Sequence, residues 1–461
     1  MKLAIRPDVV KLATPILFEQ MFVNLLGIVN TIMASRLGKE AVSAIGMVDA
    51  INAIIGALIS ALAIGATVVV AQLTGRGQRE TAAHASLQAL VAGGLIATGL
   101  TVLLVLARAP VLHLLYRGID PQVMAHMETY LSISALSYPL TALTVIGCGA
   151  LRGAGETRST MEVNTLINVL NVILSYVLIY GMHLRTEWMV ITIPGFGVAG
   201  AGMALTLARA SGVLYLFWTV LLRGDFLPDM RLRDFRFDRG LQRAIFAIGI
   251  PASIESMIFN GGKLIVQVFI VGMGTVAIAA NYIAFSVSNL INIPGAALAV
   301  ALTTLVGHDA GRADYDAARR SMWHVLKVAW VCMAIIGLVF IPLAPAAVGL
   351  YSQDAEVIHV GSLLVRMNCV FLICYPTTFV LPNGLKGSGD ARFTVLTTLT
   401  GMLLFRLMLG YFLGVTLGYG VVGVWCGVIA DWFVRSALYV IRLRGTRWQR
   451  QALSIRHKQY N

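Results

Sequence analysis

The sequence predicts an all-α, polytopic membrane protein with twelve membrane-spanning helices arranged as two six-helix repeats. Composition is the first observation: 58% of the 461 residues are hydrophobic and only 12% are charged, which is far from the composition of soluble domains. Internal duplication is the second: the stretch Thr14–Gly38 matches Ile250–Gly274 without a gap, with proline, glutamate, asparagine and glycine in register. We therefore expect one six-helix unit that is present twice.

Apolar stretches recur along almost the whole chain, each long enough to cross a hydrocarbon core of about 30 Å as a helix. Their approximate bounds are 9–35, 44–72, 85–107, 124–150, 158–181, 195–222, 241–270, 279–307, 321–346, 357–384, 392–416 and 419–444. Lysine and arginine are concentrated in the loops on the side that both termini share, which predicts cytoplasmic termini. The predicted location is a cell membrane, the inner membrane in a bacterium.

The predicted domains are an N-lobe at residues 1–222, a cytoplasmic linker at 223–240 and a C-lobe at 241–461 that ends in a basic tail. The linker is polar and basic, as expected of a strap against an anionic membrane surface. Weak alternation between His183 and Pro194 predicts a small hairpin.

The duplication extends beyond the first span of each half. Gly75-Arg76 meets Gly311-Arg312 at the same spacing as the opening stretch, and LRGAGETR at Leu151–Arg158 matches LKGSGDAR at Leu385–Arg392. Because each copy has six spans, both copies have the same orientation in the membrane. This is the parallel-repeat plan of some transporters.

Composition also excludes several classes of function. The net charge of +13 lies in short loops and tails between spans, so membrane topology explains it and no nucleic-acid partner is expected. The five cysteines lie in apolar segments without a CxxC pair, and there is no HExxH or GxSxG motif. We predict no metal site, no cofactor and no enzymatic activity.

Ionisable residues deep inside spans are candidates for function, because each costs about 2.5–3.5 kcal/mol at a span centre. Those of this chain are Glu19, Arg209, Glu255, Lys263, Arg366, Arg406, Asp431 and Arg435. Asp49, Glu162 and Lys327 lie nearer the span ends and are set aside.

Glu255 is the leading candidate for ion coupling, since a carboxyl group in a low-dielectric cavity can exchange a proton for a cation or a cationic substrate. The alternative is a permanent ion pair with Lys263 or Arg366 that locks the second half. Glu19, at the equivalent position of the first half, is the second candidate.

Further candidates come from the same helices and from the last span. Asn260 belongs to the duplicated stretch and is a candidate for ion or substrate contact. Asp431 is another, although its spacing of four residues from Arg435 favours a structural intrahelical pair. Pro15 and Pro251 are predicted to bend their helices, either as hinges or as static kinks.

Large aromatic, flexible and basic side chains around this region are predicted to line a cavity, although most such residues in a membrane protein pack in the core. The predicted cavity-lining residues are Met257, Phe259, Tyr282, Arg366 and Tyr375.

These features together resemble the multidrug and toxic compound extrusion (MATE) transporters. The resemblance rests on TPILFEQMFVNLLGIVNTIMASRLGKEAVSAIG in the first span and its loop, LRGAGETR after the fourth, NVILSYVLIYG in the fifth, GVAGAGMA in the sixth, and their second-half counterparts. It implies a V-shaped pair of six-helix lobes around a central cavity. It also implies a monomer in contact with membrane lipids that exports small organic cations by proton or sodium antiport.

The chain differs from the family at the positions where family members have functional acidic residues. Asn30 stands where one branch has an aspartate, and Ser175 replaces a second acid of that branch, whereas its companion asparagine matches Asn171. Glutamate and aspartate of other branches align with Phe259 and near Tyr375. We therefore expect Glu255, one turn before Phe259, to substitute for the missing acid.

Other functions remain open at this point. A flippase for lipid-linked precursors is the close alternative, because deep arginines could hold phosphates. An ion channel or an intramembrane enzyme would belong to another class, but a repeat with bent helices suits alternating access better than a static pore.

Overall fold

A computed structural model describes residues 7–35, 37, 39–116, 119–185, 190–222 and 236–449. The helices of the first half are α1 (Pro7–Ser35), α2 (Lys39–Gly75), α3 (Arg79–Leu106), α4 (Arg108–Leu115), α5 (Pro121–Ala135), α6 (Tyr138–Ala154), α7 (Thr157–Tyr180) and α8 (Gly197–Leu222). Those of the second half are α9 (Arg239–Val271), α10 (Thr275–Gly311), α11 (Tyr315–Gly349), α12 (Ala355–Phe371), α13 (Leu381–Gly387), α14 (Ala391–Thr400) and α15 (Gly420–Arg444).

A small hairpin interrupts the helices between α7 and α8. Strands β1 (Met182–Arg185) and β2 (Val190–Ile193) are antiparallel, with Met182 opposite Ile193. The hairpin predicted from the weak alternation in this segment is therefore confirmed. Most of the predicted linker, residues 223–235, and the end of the basic tail, residues 450–461, lie outside the described residues.

The number of spans agrees with the sequence. In the described part of the chain, eleven segments are long and apolar enough to cross a membrane, and the bent pair α5–α6 makes a twelfth if it is one span. The prediction of an all-α, multi-pass membrane protein is confirmed.

Two prolines explain where single predicted spans are broken. The predicted span 124–150 is bent by 44° between α5 and α6. Helix α5 ends at Ala135, four residues before Pro139, because a proline ring clashes with the carbonyl four residues earlier. The tenth span changes to a 3₁₀ turn at Leu372–Cys374 and a π-helical turn at Pro376–Val380 before it continues as α13.

The chain divides into two compact units. One unit contains Phe18–Val70 and Arg79–Gln242; the other contains the chain up to Leu17, Ala71–Gln78 and everything from Arg243 onward. The beginning of α1 and the end of α2 therefore belong to the unit that the second half forms.

The start of α1 is held in that unit by apolar packing. Val9, Leu12 and Ile16 lie in the same buried core as Ile270 and Leu302 of helices α9 and α10. Their burial removes apolar surface from the exterior, and close packing rather than water exclusion drives helix association at membrane depth.

Glycines allow the end of α2 to pack directly on the end of α10 within this unit. A Cβ on Gly75 would overlap the backbone carbonyl of His308, and a Cβ on Gly311 would overlap that of Gln72. Gly75 and Gln72 are the repeat counterparts of Gly311 and His308, so the same contact occurs twice, once in each direction. Small residues at such crossings let the backbones approach closely.

We predict that Gly75→Ala and Gly311→Ala each destabilise the protein, because a methyl group cannot fit between the two backbones. Overpacking of this kind costs about 1–3 kcal/mol. The measurement is the apparent melting temperature of detergent-purified protein, followed by tryptophan fluorescence. Gly56→Ala is the matched control, since a Cβ there meets nothing within 4 Å and alanine favours the helix. Equal melting temperatures for all three variants would contradict the prediction.

Candidate functional site

Glu255 is held by three side chains of the same unit. Lys386 at the end of α13 places its Nζ 2.9 Å from Oε2. Thr394 Oγ1 donates to Oε2 at 2.7 Å and Thr398 Oγ1 donates to Oε1 at 3.4 Å. The carboxylate is thus compensated by one cation and by two hydroxyl groups from α14. The side chains of Lys386, Thr394 and Thr398 are each at least nine-tenths buried.

The sequence-based alternative named the wrong partner for this glutamate. Lys263 is eight residues further along α9, which is about 12 Å along a helix axis, too far for an ion pair with Glu255. Arg366 is exposed on α12, and its Nε donates to the carbonyl of Ile341 at 3.3 Å. The ion pair is formed by Lys386, which is distant in sequence but adjacent in the fold.

Glu19 has an equivalent environment in the other unit. It is 4% exposed and forms an ion pair with Arg152 near the end of α6. Asn164 on α7 donates its Nδ2 to Oε1 at 3.1 Å. The first half therefore also neutralises its mid-helix glutamate, here with a base from α6 and an amide from α7.

The two glutamate environments are copies of one another. Arg152 and Lys386 occupy the second position of LRGAGETR and LKGSGDAR, and Asn164 and Thr398 follow them at the same distance of twelve residues. The repeat register in the sequence contained this pairing, but a search confined to residues near each glutamate could not detect it.

A second polar cluster lies on the last spans. Arg435 binds Asp431 in bidentate fashion, with two distances of 2.7 Å, as the spacing of four residues predicts. Arg406 adds a second cation, with its Nη2 2.9 Å from Asp431 Oδ2, and all three side chains are at least 96% buried. Gly401 provides the space for the Asp431 carboxylate, because a Cβ at this position would overlap it.

The ring of Phe259 is surrounded by cations. Lys263 Nζ lies 4.7 Å from the ring centroid, and the guanidinium carbons of Arg406 and Arg435 lie 5.2 Å and 5.8 Å away. An aromatic face attracts cations, but it carries no net charge. With Asp431 as the single carboxylate of the cluster, two positive charges remain in excess.

Phe259 belongs to a cluster of aromatic side chains that contact one another edge to face or by stacking. Phe259 meets Phe379 edge to face, and Tyr375 stacks on Phe379 with centroids 4.7 Å apart. Trp432 packs against both Tyr375 and Phe379. Tyr375, predicted to line a cavity, is 8% exposed and belongs to this aromatic core.

A cavity of about 250 Å³ lies beside the cation cluster. Its walls include the aliphatic side chains of Leu264, Val266 and Val428. The polar and aromatic residues that border it are Lys263, Gln267, Asn281, Tyr282, Phe285 and Arg406. Tyr282 is thus a cavity residue, as predicted, and Lys263 joins it there instead of pairing with Glu255.

The remaining predicted residues are dispersed. Asn171 and Ser175 are each 6% exposed on α7, and Met257 is 55% exposed on α9. Asn260 donates to the Ser256 carbonyl at 2.9 Å, so its amide bonds to its own helix.

Helices α1 and α9 run without interruption through the two predicted hinge prolines, Pro15 and Pro251. Whether these prolines act as hinges or as static kinks stays a prediction. Asn30 lies on α1, but its side chain is outside the described residues.

A further polar cluster in the first half was not predicted as a site from the sequence. Asp49, set aside as too near a span end, accepts hydrogen bonds from Asn52 at 3.0 Å and Tyr130 at 3.1 Å. Arg209 donates to the Ser137 hydroxyl in the same unit. The spacing of Asp49 and Asn52 by three residues on one helix was the available signal.

These features define an internally duplicated membrane transporter, and the comparisons identify its family. The MatE family model matches residues 15–177 and again 251–412, so its two matches begin at the paired prolines. The chain belongs to the MatE family, the MATE transporters, and the resemblance seen in the sequence is confirmed. Members of this family are transporters and not enzymes.

Individual relatives cover nearly the whole chain. It is 27% identical over 444 residues to the uncharacterized transporter YisQ of Bacillus subtilis (strain 168), covering 96% of this chain and 95% of the relative. It is 25% identical over 461 residues to the probable multidrug resistance protein NorM of Thermotoga maritima, an alignment that covers 98% of this chain and 95% of the relative. An outward-facing multidrug resistance MATE transporter of the MOP superfamily has the same fold, with a TM-score of 0.87, 21% identity and 96% of each chain covered.

We predict that Asp431→Asn strongly destabilises the protein, because Arg406 and Arg435 would keep their buried charges without a counter-ion. Breaking a buried pair on one side costs about 3–5 kcal/mol. Arg158→Gln is the comparison, since it removes the exposed pair with Glu162 and should cost about 1 kcal/mol or less. The measurement is again the apparent melting temperature, and similar shifts for both variants would refute the proposed role of Asp431.

Proposed function

We propose that this protein is a secondary active efflux transporter for amphipathic organic compounds, driven by proton or sodium antiport through alternating access of its two six-helix lobes. Family membership supports it, as do relatives named for multidrug resistance. We further propose that it works as a monomer with both termini in the cytoplasm.

The observation that carries this proposal is the environment of Glu255. Lys386 neutralises the carboxylate in the resting pair, and two threonine hydroxyl groups complete its surroundings with oxygen atoms. A proton or Na⁺ that reaches Glu255 competes with Lys386 for the same carboxylate, and Na⁺ favours oxygen ligands of this kind as other hard cations do. Replacement of Lys386 by the coupling ion is the local event that changes the balance between two states.

The second half suits this exchange better than the first. An arginine side chain holds a carboxylate through a rigid, planar fork, whereas a lysine offers a single ammonium group on a flexible stem, which a competing cation can displace more readily. Glu19 is held by Arg152 and Glu255 by Lys386. We therefore propose the Glu255 pair as the coupling site and the Glu19 pair as a structural lock.

A second candidate function is a flippase for lipid-linked precursors. The observation in its favour is the excess of positive charge at Phe259, formed by Lys263, Arg406 and Arg435 against the single carboxylate of Asp431. Organic cations, the substrate expected from the sequence, would meet no carboxylate among the residues that border the described cavity. A flippase of this kind would move lipid-linked precursors and would not export the test drugs under either ion gradient.

We predict that Glu255→Gln reduces ion-driven efflux by about tenfold or more, within the usual range of coupling free energies between linked sites. The assay measures efflux of ethidium and of a fluoroquinolone from proteoliposomes, under a proton gradient alone and then under a sodium gradient alone. Glu356→Gln is the control, because Glu356 is exposed at the start of α12. Unchanged coupled efflux by Glu255→Gln would refute the assignment, and no drug efflux under either gradient would favour the flippase.

Lys386→Arg tests the exchange itself without breaking the pair. Arginine should keep the protein folded, because the first half uses Arg152 at this position, but it should slow coupled efflux by holding Glu255 more firmly. The measurements are coupled efflux and apparent melting temperature in the same preparation. An efflux rate equal to that of the wild type, with the melting temperature retained, would show that Glu255 and Lys386 form a static pair.

A further inference from the structure

The charged side chains that border the cavity beside Phe259 are of one sign. Lys263 and Arg406 border it as cations. Among the described residues no carboxylate lies within ion-pair distance of Lys263, whose nearest partners are the rings of Phe259 and Phe285 at 4.7 Å and 5.8 Å. A lysine inside a span without a counter-ion carries a substantial free-energy cost, which a bound anion would offset.

Arg406 supplies an independent sign of a missing partner. Its Nη2 binds Asp431, but its Nε is buried and has no acceptor among the described residues. The side chain is only 3% exposed, so solvent at the protein surface does not hydrate the Nε atom. Buried guanidinium nitrogens without an acceptor are uncommon, and here the group borders a cavity.

A chain of hydrogen bonds orients a third donor at the same cavity. The indole nitrogen of Trp425 can only donate, so the Asn281 atom 3.0 Å from it is the carbonyl oxygen. The amide nitrogen of Asn281 therefore donates to Gln267 Oε1 at 3.1 Å. This bond fixes the orientation of the Gln267 amide, whose NH2 group is a donor for which no described residue is the acceptor.

The rest of the cavity wall is apolar. Leu264, Val266, Phe285 and Val428 form it, and Tyr282 at its edge is 67% exposed. A volume of about 250 Å³ accommodates a small aromatic or branched aliphatic body. Ligand sites commonly combine an apolar wall with a few polar groups that fix the orientation of the ligand.

We propose that this cavity binds amphipathic anions, with the anionic group of the ligand against Lys263, Arg406 and Gln267 and its apolar body against the aliphatic wall. The proposal rests on the proposed efflux function in one respect only, namely that the cavity lies on the transport route. Two sources share this chemistry: a soluble organic anion and the phosphate headgroup of an anionic lipid.

The test measures binding of two matched probes to the full-length protein in phosphatidylcholine nanodiscs. The probes are 2-naphthalenesulfonate and 2-naphthylmethylammonium, which have the same ring system and opposite charge, and equilibrium dialysis gives each Kd. We expect the sulfonate to bind about tenfold more tightly or better, the effect of one charge-assisted hydrogen bond. Equal affinities, or tighter binding of the ammonium probe, would overturn the proposal.

Two variants locate the site. Lys263→Gln should weaken sulfonate binding about tenfold without loss of the fold, because Lys263 forms no ion pair among the described residues. Lys327→Gln, the same change on an exposed lysine of α11, should have no effect. Gln267→Glu places a carboxylate in the cavity and should reverse the preference between the two probes. Identical behaviour of the two lysine variants would place the anion elsewhere and refute the site.

A lipid arm separates the two sources of anion. Nanodiscs that contain phosphatidylglycerol should weaken sulfonate binding if the lipid headgroup occupies the cavity, and should leave it unchanged if the natural ligand is a soluble anion. The same comparison with Lys263→Gln corrects for repulsion by the charged bilayer surface. Either result upholds an anion site and decides its source.

The outcomes also separate this proposal from the efflux function. Selective sulfonate binding without any gradient-driven transport would refute the efflux function and leave the anion site intact. Coupled efflux of ethidium together with no preference for the sulfonate would refute the anion site and leave the efflux function intact.

Discussion

A carboxylate inside a bilayer must be compensated by a cation or by hydrogen-bond donors, because an isolated charge in a low-dielectric medium costs several kcal/mol. This constraint determines how both halves are built. Glu19, Glu255 and Asp431 each lie within a span, and each is bound by a basic residue of its own unit. The partners of the two glutamates come from helices far along the chain, so these pairs also tie the first helix of each half to its fourth and fifth spans.

Duplication preserved the position of each group and changed its chemistry. The first half combines Arg152 with an amide, and the second combines Lys386 with two hydroxyl groups. An arginine fork gives a firmer and more directional pair than a lysine ammonium. Under the proposed function, the two copies divide the work: the Glu19 pair maintains the fold and the Glu255 pair exchanges its cation.

The fold was predictable because membrane insertion constrains composition and length, and these are readable locally. The twelve apolar segments and the parallel repeat followed from the sequence alone. A proline inside a span indicates a bend, so a bend at Pro139 was predictable, but apolar residues continue on both sides of it and hydropathy does not show that α5 ends at Ala135. The pairing of Glu255 with Lys386 was not predictable from neighbours along the helix, because an ion pair depends on distance in space and Lys386 is 131 residues further along the chain.

The cation cluster shows most clearly how one substitution changes a site. The family resemblance places a glutamate at the position of Phe259, and a carboxylate there would be surrounded by Lys263, Arg406 and Arg435. Phenylalanine offers those cations only the negative face of a ring quadrupole, which attracts them without removing charge. With Asp431 shared between the two arginines, the second half retains an excess of positive charge next to a cavity with an apolar wall. Under the proposal of an anion site, a bound ligand supplies the compensating negative charge and can later leave.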